Sequence, residues 1–201
     1  MSMPLDDLAH LPEETLLALY AAGDRSAARV LTLRLTPRIL GFAARLLGDR
    51  AEAEDVAQEA MLRLWRIAPD WRPGEAQVTT WLYRVVSNLV TDRQRARTRR
   101  RADSLEDAAE PVDESLGAYA TLLERDRMAA LDAALALLPD RQRQAVVLRH
   151  LEGLSNPDIA TIMEIGVEAV ESLTARGKRA LAAALAGQRA ELGYEDEGVS
   201  P

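Results

Sequence analysis

The chain has 201 residues, no cysteine, two histidines and a formal net charge of -7 at pH 7, and its length leaves room for one or two domains. The absence of cysteine excludes a disulfide scaffold and thiolate zinc sites, and the isolated His10 and His150 leave little with which to bind a metal ion or a cofactor. No apolar run reaches the roughly 18 residues of a membrane span, and the acidic start is unlike a signal peptide, so we expect a cytoplasmic protein without membrane contact.

Helix-forming residues dominate the chain, because Ala, Leu, Arg and Glu are abundant and only 4% of the residues are aromatic. Apolar residues recur at helical spacing in most of the sequence, which predicts an all-α protein. The expected helices lie roughly over residues 12–22, 25–47, 50–68, 78–98, 125–138 and 140–152, followed by a shorter pair after Ser155.

Local signals mark the ends of these helices. Gly48 and Asp49 are expected to close one helix and cap the next, and residues 69–74 break the chain before another helix begins.

Residues 102–120 are acidic and lack periodicity, so they cannot bury enough apolar surface to offset their ordering entropy. We therefore expect two small helical domains joined by a flexible acidic linker. The expected ranges are 1–101 for the first domain, 102–124 for the linker, 125–187 for the second domain and 188–201 for a flexible tail.

The net charge hides an uneven distribution of charge along the chain. Between Arg84 and Arg101 there are seven arginines and one acid, Asp92, whereas residues 103–124 carry seven acids and no base. A segment rich in arginine suits phosphate groups, and the acidic segment after it repels them. The arginine segment therefore predicts a nucleic-acid contact in a chain that is acidic overall.

The predicted helix over residues 50–68 has an apolar face and a polar strip. Apolar residues at spacings of three and four, such as Val56, Ala60 and Leu64, turn one face inward. The outer strip consists of Glu52, Asp55, Gln58, Glu59 and Leu62. Such a mixture of polar and apolar groups suits a partner helix. A merely solvated acidic face and a carboxylate metal site are the alternatives, although the segment contains no histidine.

The next predicted helix combines aromatic side chains with arginines. It begins near Trp81 and continues through Asn88 into the arginine segment. Aromatic rings stack on unpaired bases and guanidinium groups hold phosphates, so this helix is suited to single-stranded DNA. Taken by itself, Trp81 is better explained as a core residue.

The C-terminal half has the spacing of a helix-turn-helix. Ser155 is expected to cap a helix of about two turns, and a turn that contains Gly166 leads into a second amphipathic helix. The second helix would lie in the DNA major groove, with its N-terminal residues facing base edges. Phosphate contacts are expected from Arg176, Lys178 and Arg179. An ordinary three-helix bundle is the alternative that the pattern alone leaves open.

Three segments resemble RNA polymerase sigma factors of the small, two-domain extracytoplasmic-function (ECF) type. The first is Ala-Glu-Asp-Val-Ala-Gln-Glu-Ala-Met-Leu-Arg-Leu-Trp at 53–65, which resembles sigma region 2.2. The second is Thr-Trp-Leu-Tyr-Arg-Val-Val-Ser-Asn-Leu-Val-Thr-Asp-Arg-Gln-Arg at 80–95, which resembles regions 2.3 and 2.4. The third is Leu-Pro-Asp-Arg-Gln-Arg-Gln-Ala-Val-Val-Leu-Arg-His-Leu-Glu-Gly-Leu-Ser at 138–155, which resembles region 4. The resemblance covers residues 24–101 and 125–187 and implies a subunit that lends RNA polymerase its promoter specificity.

The resemblance implies three binding sites. Region 2.2 docks on the coiled coil of the polymerase β′ subunit, which assigns core binding to Asp55, Gln58, Glu59, Leu62 and Trp65. Regions 2.3 and 2.4 open the minus-10 element and trap a flipped base, which assigns DNA binding to Trp81, Arg84, Asn88, Asp92, Arg93, Arg95 and Arg97, with residues 69–78 as the pocket wall. Region 4 recognises the minus-35 element of promoter DNA, which assigns binding to Ser155, Glu168, Glu171, Ser172, Arg176, Lys178 and Arg179. An anti-sigma factor is a further partner implied by family habit.

The chain departs from the family pattern in its helix-turn-helix. Glu164 occupies a turn position where the family often has glycine, which costs about 1 kcal/mol if the backbone there is left-handed. We expect Gly166 to take up part of that turn. Many members place Lys or Arg where this chain has Glu171 and Leu173, with Glu168 a turn earlier. We therefore expect weak phosphate contact, with carboxylates that can accept from cytosine amino groups.

The sequence therefore predicts a promoter-recognition subunit and not an enzyme. An enzyme would need a nucleophile with a base, or a cluster of ligands, and two isolated histidines without cysteine supply neither. We expect no catalytic residue, no metal and no cofactor. The remaining alternative is a decoy of the same fold that binds an anti-sigma factor without touching DNA. The arginines within residues 93–101 argue against a decoy, which has no need of that charge.

Overall fold

A computed structural model describes residues 5–74, 76–103 and 119–186, and every regular element within these ranges is helical. The elements are α1 (Leu5–Leu8), α2 (Glu13–Ala21), α3 (Arg25–Leu47), α4 (Arg50–Ile67), a 3₁₀ turn (Ala68–Asp70), α5 (Val78–Asp103), α6 (Tyr119–Ala136), α7 (Asp140–Val146), a π-helical segment (Val147–Leu151), α8 (Asn156–Met163) and α9 (Val167–Leu185). The predicted all-α class is confirmed.

The helix bounds agree with the sequence pattern except beside the expected linker. α5 continues to Asp103 and α6 begins at Tyr119, so both helices extend into the range 102–124 that the sequence assigned to a linker. The central part of that linker, residues 104–118, and the predicted tail at 188–201 lie outside the described residues. No helix in the described ranges combines the length and apolar character that crossing a bilayer requires.

Two helix junctions form as the local sequence predicts. Gly48 ends α3 with a left-handed backbone at φ 64°, and the Asp49 side chain accepts a hydrogen bond of 3.0 Å from the backbone N–H of Glu52. At the start of α8, the Ser155 hydroxyl accepts one of 3.3 Å from the backbone N–H of Asp158. These caps matter because the first N–H groups of a helix have no partner inside it.

The turn of the helix-turn-helix differs from the prediction. Glu164 is left-handed, with φ 54°, whereas Gly166 is extended, with φ -70° and ψ 153°. The expectation that Gly166 takes up part of the turn is therefore wrong. Glu164, a residue with a Cβ atom, adopts the left-handed backbone conformation, and this costs about 1 kcal/mol.

Helices α1 to α5 form the first bundle around the long α3. α3 packs against α2, α4 and α5 and buries Leu31, Leu35, Ile39 and Phe42 completely or almost so. Their spacing of three and four residues places them on one face of the helix. Burying side chains of this size stabilises the fold by about 1.5 to 3 kcal/mol each. The Phe42 ring meets the ring of Tyr83 in α5 edge to face, with centroids 5.2 Å apart.

Helices α6 to α9 form the second bundle, in which α7 and α9 approach closely. Gly177 of α9 lies at their contact, where an added Cβ would be 2.5 Å from Cγ2 of Val146. Only the missing side chain permits this approach. α8 and α9 then form the two helices of the predicted helix-turn-helix, held by the buried Ile159 and Val170.

The two bundles pack on each other. α8 lies against α5, and α3 contacts both α6 and α7. Arg143 of α7 donates to the carbonyl oxygen of Leu46 in the first bundle at 3.1 Å and to those of Leu135 and Leu138 in its own bundle at 2.8 and 3.0 Å. The buried apolar residues of both bundles form one cluster, so apolar side chains as well as polar groups pack between the bundles.

Candidate polymerase and nucleic-acid surfaces

The outward face of α4 carries the residues that the sequence assigned to polymerase binding. Asp55, Gln58 and Leu62 are all exposed and recur every three or four residues, so they lie along one face. Leu62 is 42% exposed and stands between polar neighbours. The Asp55 carboxylate lies 3.6 Å from Nη1 of Arg93. This polar strip with one exposed leucine has the composition of a helix-docking surface.

The carboxylates of α4 have arginine partners. Arg63 donates from Nε to Oε1 of Glu59 at 2.8 Å, and this hydrogen bond holds the pKa of the Glu59 carboxyl below its ordinary value. Glu52 accepts from Nε of Arg97 at 3.1 Å, and Asp55 has a different arginine beside it. The three carboxylates therefore face separate cations. Within the described ranges, no three acidic, histidine or cysteine side chains are grouped as metal ligands.

Trp65, the remaining residue assigned to polymerase binding, lies half-buried against α2. Its ring meets the ring of Tyr20 edge to face, with centroids 4.7 Å apart. Packing therefore fixes the orientation of the indole at the C-terminal end of the polar strip.

One face of α5 carries most of the residues assigned to the minus-10 element. Arg84, Asn88, Asp92, Arg95 and Arg99 are all exposed. They recur every three or four residues, so they form one stripe along the helix, which we call the α5 stripe. Arg95 is 72% exposed, and its nearest acidic partner, Asp92, is 4.0 Å away. Arg95 of the α5 stripe therefore has only a long contact with a neighbouring carboxylate.

Trp81 lies at the N-terminal end of the α5 stripe and is half-buried. Its ring meets the ring of Trp71 edge to face, with centroids 5.9 Å apart. Trp71 comes from the loop at 69–78 that the sequence predicts as a pocket wall, and its indole nitrogen is buried without a hydrogen-bond partner. In the sequence, Trp71 marks only a helix break. The structure shows that it pairs with Trp81.

Two arginines that the sequence assigned to the minus-10 element have partners within the first bundle. Arg97 donates to the carbonyl oxygen of Leu47 at 3.0 Å, to Asp49 at 3.3 Å and to Glu52 at 3.1 Å. Arg93 is paired with a carboxylate of α4. The guanidinium group of Arg97 thus ties α5 to the junction of α3 and α4. Partners so distant in sequence leave no local pattern that could have indicated this role.

The exposed face of α9 changes from acidic to basic along the helix. The residues assigned to the minus-35 element on this helix are all exposed; they are Glu168, Glu171, Ser172, Arg176, Lys178 and Arg179. The buried Val170 and Gly177 point the opposite way, into the second bundle. Glu171 accepts a long hydrogen bond of 3.5 Å from Asn156 of α8. The remaining residue assigned to this element, Ser155, is engaged in its helix cap.

A polar cluster that the sequence pattern did not predict lies between the two bundles. The Tyr83 hydroxyl of α5 donates to Glu152, and Arg38 of α3 lies 3.9 Å from the same carboxylate. Arg84 pairs with Glu164 of the helix-turn-helix at 2.9 Å. Burial, reinforced by the hydrogen bond with Glu152, raises the pKa of Tyr83. The hydroxyl therefore remains protonated and acts as a donor.

A cleft of about 890 Å³ lies between α5 and α7. Asp92, Arg95 and Arg99 of the α5 stripe line one side of the cleft, and Asp140 and Arg141 of α7 line the other. Much of the α5 stripe therefore faces the second bundle.

Two segments of the chain match known families. Residues 31–100 match Sigma-70 region 2, and residues 128–181 match Sigma-70, region 4. The chain is 34% identical over 182 residues to the RNA polymerase sigma-H factor of Pseudomonas aeruginosa. This alignment covers 86% of this chain and 93% of that protein. It is 30% identical over 179 residues to the ECF RNA polymerase sigma-E factor of Escherichia coli K12, with coverage of 85% and 93%.

Two solved structures have a similar fold. The sigma factor RpoE of Bartonella quintana, in complex with the anti-sigma factor NepR, matches with a TM-score of 0.67 at 25% identity, covering 77% of this chain and 94% of that one. CnrH, in complex with the cytosolic domain of CnrY, matches with a TM-score of 0.62 at 26% identity, with coverage of 87% and 97%. These matches confirm the two-domain helical fold.

Proposed function

Because the chain belongs to the ECF group of the sigma-70 family of RNA polymerase sigma factors, we propose that it binds core polymerase and directs promoter recognition and transcription initiation. The observation that supports this proposal is that two helices in separate bundles of one chain, α5 and α9, each expose a face that carries arginines. Such a subunit acts by binding, so it has no catalytic residue of its own. Its place is the cytoplasm, where polymerase transcribes.

The outer face of α4 is the proposed contact with the coiled coil of β′. Asp55 and Gln58 supply polar contacts, and the exposed Leu62 supplies apolar area to bury. Glu59 and the half-buried Trp65 flank the same strip. Polar groups around an apolar contact are the usual anatomy of a protein interface.

The α5 stripe and the tryptophan pair are the proposed contact with the minus-10 element. Arg84 and Arg95 would hold the backbone of the opened strand, while Trp81 and Asn88 contact bases. Asp92 lowers the net positive charge of the α5 stripe. Arg93 and Arg97 were also predicted to bind DNA, and their internal partners support a mainly structural role.

The exposed face of α9 is the proposed contact with the minus-35 element. Its first turns would enter the major groove, where Glu168, Glu171 and Ser172 approach base edges. The later basic residues, Arg176, Lys178 and Arg179, would bind phosphates. The side chain of Ser155 contributes by fixing the start of α8.

An anti-sigma factor is the further proposed partner. Two of the matching solved structures are complexes, one of a sigma factor with an anti-sigma factor and one of CnrH with the cytosolic domain of CnrY. A decoy that binds an anti-sigma factor without touching DNA is the less favoured alternative, since it would have no use for the exposed arginines of the α5 stripe.

The contact with polymerase can be tested by substitution in the polar strip. Asp55→Ala and Gln58→Ala should each weaken binding to core polymerase by about 1 kcal/mol or more, because each removes a polar contact at the interface. Arg50→Gln is the matched control, because Arg50 is exposed on α4 but lies away from the strip. Unchanged affinity of the double variant, measured by titration of labelled protein, would remove this assignment.

The function itself can be tested with purified components. Added to core polymerase on fragmented genomic DNA, the chain should direct transcripts whose start sites share one pair of upstream elements. Start sites that do not differ from those of core polymerase alone would contradict the proposal.

A further inference from the structure

We propose that the packing of α8 against α5 is a closed state of the free protein that cannot engage a whole promoter, held by a latch of Arg38, Tyr83, Arg84, Glu152 and Glu164. This inference rests on the proposed function, because it concerns how the two DNA-facing helices become available. The latch joins residues of the first bundle to Glu152 and Glu164 of the second.

The distance between promoter elements requires the two bundles to separate. The elements are named for positions about 25 base pairs apart, which corresponds to about 85 Å along B-form DNA. A compact chain of 201 residues has a radius of gyration of about 16 Å. Because the bundles touch through α5 and α8, α5 and α9 cannot lie on both elements at once in the closed state.

Glu152 is the centre of the latch. Its side chain is only 8% exposed, and it accepts from the hydroxyl of Tyr83, which is 1% exposed. Arg38 lies beside both residues, 3.9 Å from the carboxylate and with its guanidinium carbon 5.8 Å from the centre of the Tyr83 ring. A buried carboxylate needs such partners, so removing them destabilises the closed contact.

The second part of the latch competes directly with DNA. Arg84, a member of the α5 stripe, is paired with Glu164 at 2.9 Å, so the same guanidinium group cannot also hold a phosphate. Glu164 adopts the left-handed conformation that glycine would take without strain. A role in the latch explains why a carboxylate occupies this position.

The cleft between the bundles adds to the masking of the α5 stripe. Asp92, Arg95 and Arg99 line it opposite Asp140 and Arg141 of α7. In the closed state, an opened strand that follows this part of α5 would have to enter the cleft, although the Arg95 side chain itself is 72% exposed. The closed packing of the two bundles and the binding of the minus-10 strand therefore compete for the α5 stripe.

The closed state can be measured by energy transfer between two dyes on the full-length free protein. The chain has no cysteine, so Ala22→Cys and Ala183→Cys, both at exposed positions of different bundles, provide unique labelling sites. The parent protein should show mainly one high-transfer population. Tyr83→Phe should lower the ratio of closed to open molecules about tenfold or more, because the buried Glu152 carboxylate loses its hydrogen-bond donor and remains in place.

Two comparisons separate the latch from a loss of folding. Glu54→Gln removes a carboxylate that is paired with Arg50 within α4, and it should leave the transfer unchanged. Arg84→Glu and Glu164→Arg should each open the protein a few-fold, and the double variant should close it again, because the exposed pair is restored with reversed charges. A double variant as open as the single ones would overturn the role of this pair.

Failure of the latch and failure of the proposed function are distinguishable. The transfer measurement uses neither polymerase nor DNA, so a parent protein that is mainly open, or latch variants that remain closed, would overturn the latch alone. A single-stranded minus-10 oligonucleotide should bind the Tyr83→Phe variant more tightly than the parent, in proportion to its open fraction. An opened variant with unchanged affinity would contradict the masking of the α5 stripe.

Discussion

α5 and α9 carry the two exposed faces that are proposed to bind DNA, but the two faces differ in charge and in their neighbours. The α5 stripe carries three arginines and one acid, and it begins beside the Trp71–Trp81 pair. The face of α9 begins with Glu168 and Glu171 and becomes basic only further along. Arginines beside aromatic rings suit an opened strand, whereas carboxylates in the major groove discriminate between bases and weaken phosphate binding. The proposed division is therefore that α5 holds opened DNA and that α9 contributes selectivity.

The largest predicted difference between the two helices concerns stability. Arg97→Ala should destabilise the first bundle by about 2 kcal/mol, because it removes hydrogen bonds that connect α5 to the α3–α4 junction. Arg179→Ala, on the exposed face of α9, should change the stability by less than about 0.5 kcal/mol. Urea denaturation followed by circular dichroism measures both effects. Equal effects would show that Arg97 has no structural role.

Arg97 also illustrates what the sequence could and could not predict. Helix ends were predictable because their signals are local: Gly48 and Asp49 lie beside the groups that they cap. The roles of Arg97 and Tyr83 were not predictable, because Tyr83 meets a partner 69 residues away. The turn at Glu164 was assigned partly to the wrong residue, since the preference of glycine for left-handed backbone suggested Gly166.

For the candidate site residues too, features that depend on one helix were predictable and contacts with distant partners were not. Helical spacing was sufficient to predict that Asp55, Gln58 and Leu62 share an exposed face, because that face depends only on the geometry of one helix. Spacing could not show that Arg84 is paired with Glu164, since this contact depends on how two bundles pack.

The next prediction concerns the acidic start of α9. The free chain should bind duplex promoter DNA weakly at physiological salt, because the glutamates oppose phosphate contact. Replacing both Glu168 and Glu171 by Gln should raise the affinity for duplex DNA of any sequence by up to about tenfold, or about 1.4 kcal/mol. Fluorescence anisotropy measures this change. Tight, sequence-specific binding by the unmodified free chain would contradict the electrostatic comparison.

A smaller effect is predicted for a single arginine of the α5 stripe. Arg95→Ala should lower the affinity for single-stranded DNA a few-fold whatever its sequence, and it should flatten the slope of log K against log salt by about 0.7. Arg29→Ala, at an exposed position of α3, is the control and should change neither quantity. Loss confined to one base sequence would indicate a base contact in place of a phosphate contact.

The most direct test of the division between α5 and α9 compares two templates in transcription by reconstituted polymerase. If α5 captures opened DNA, Trp81→Ala and Asn88→Ala should impair transcription from a closed duplex far more than from a template with a pre-opened minus-10 bubble, whose unstacking has already occurred. Thermal denaturation of each variant is the necessary control, because loss of a core tryptophan would destabilise the bundle by about 3 to 5 kcal/mol. Equal losses on both templates, together with lower thermal stability, would contradict the melting role of α5.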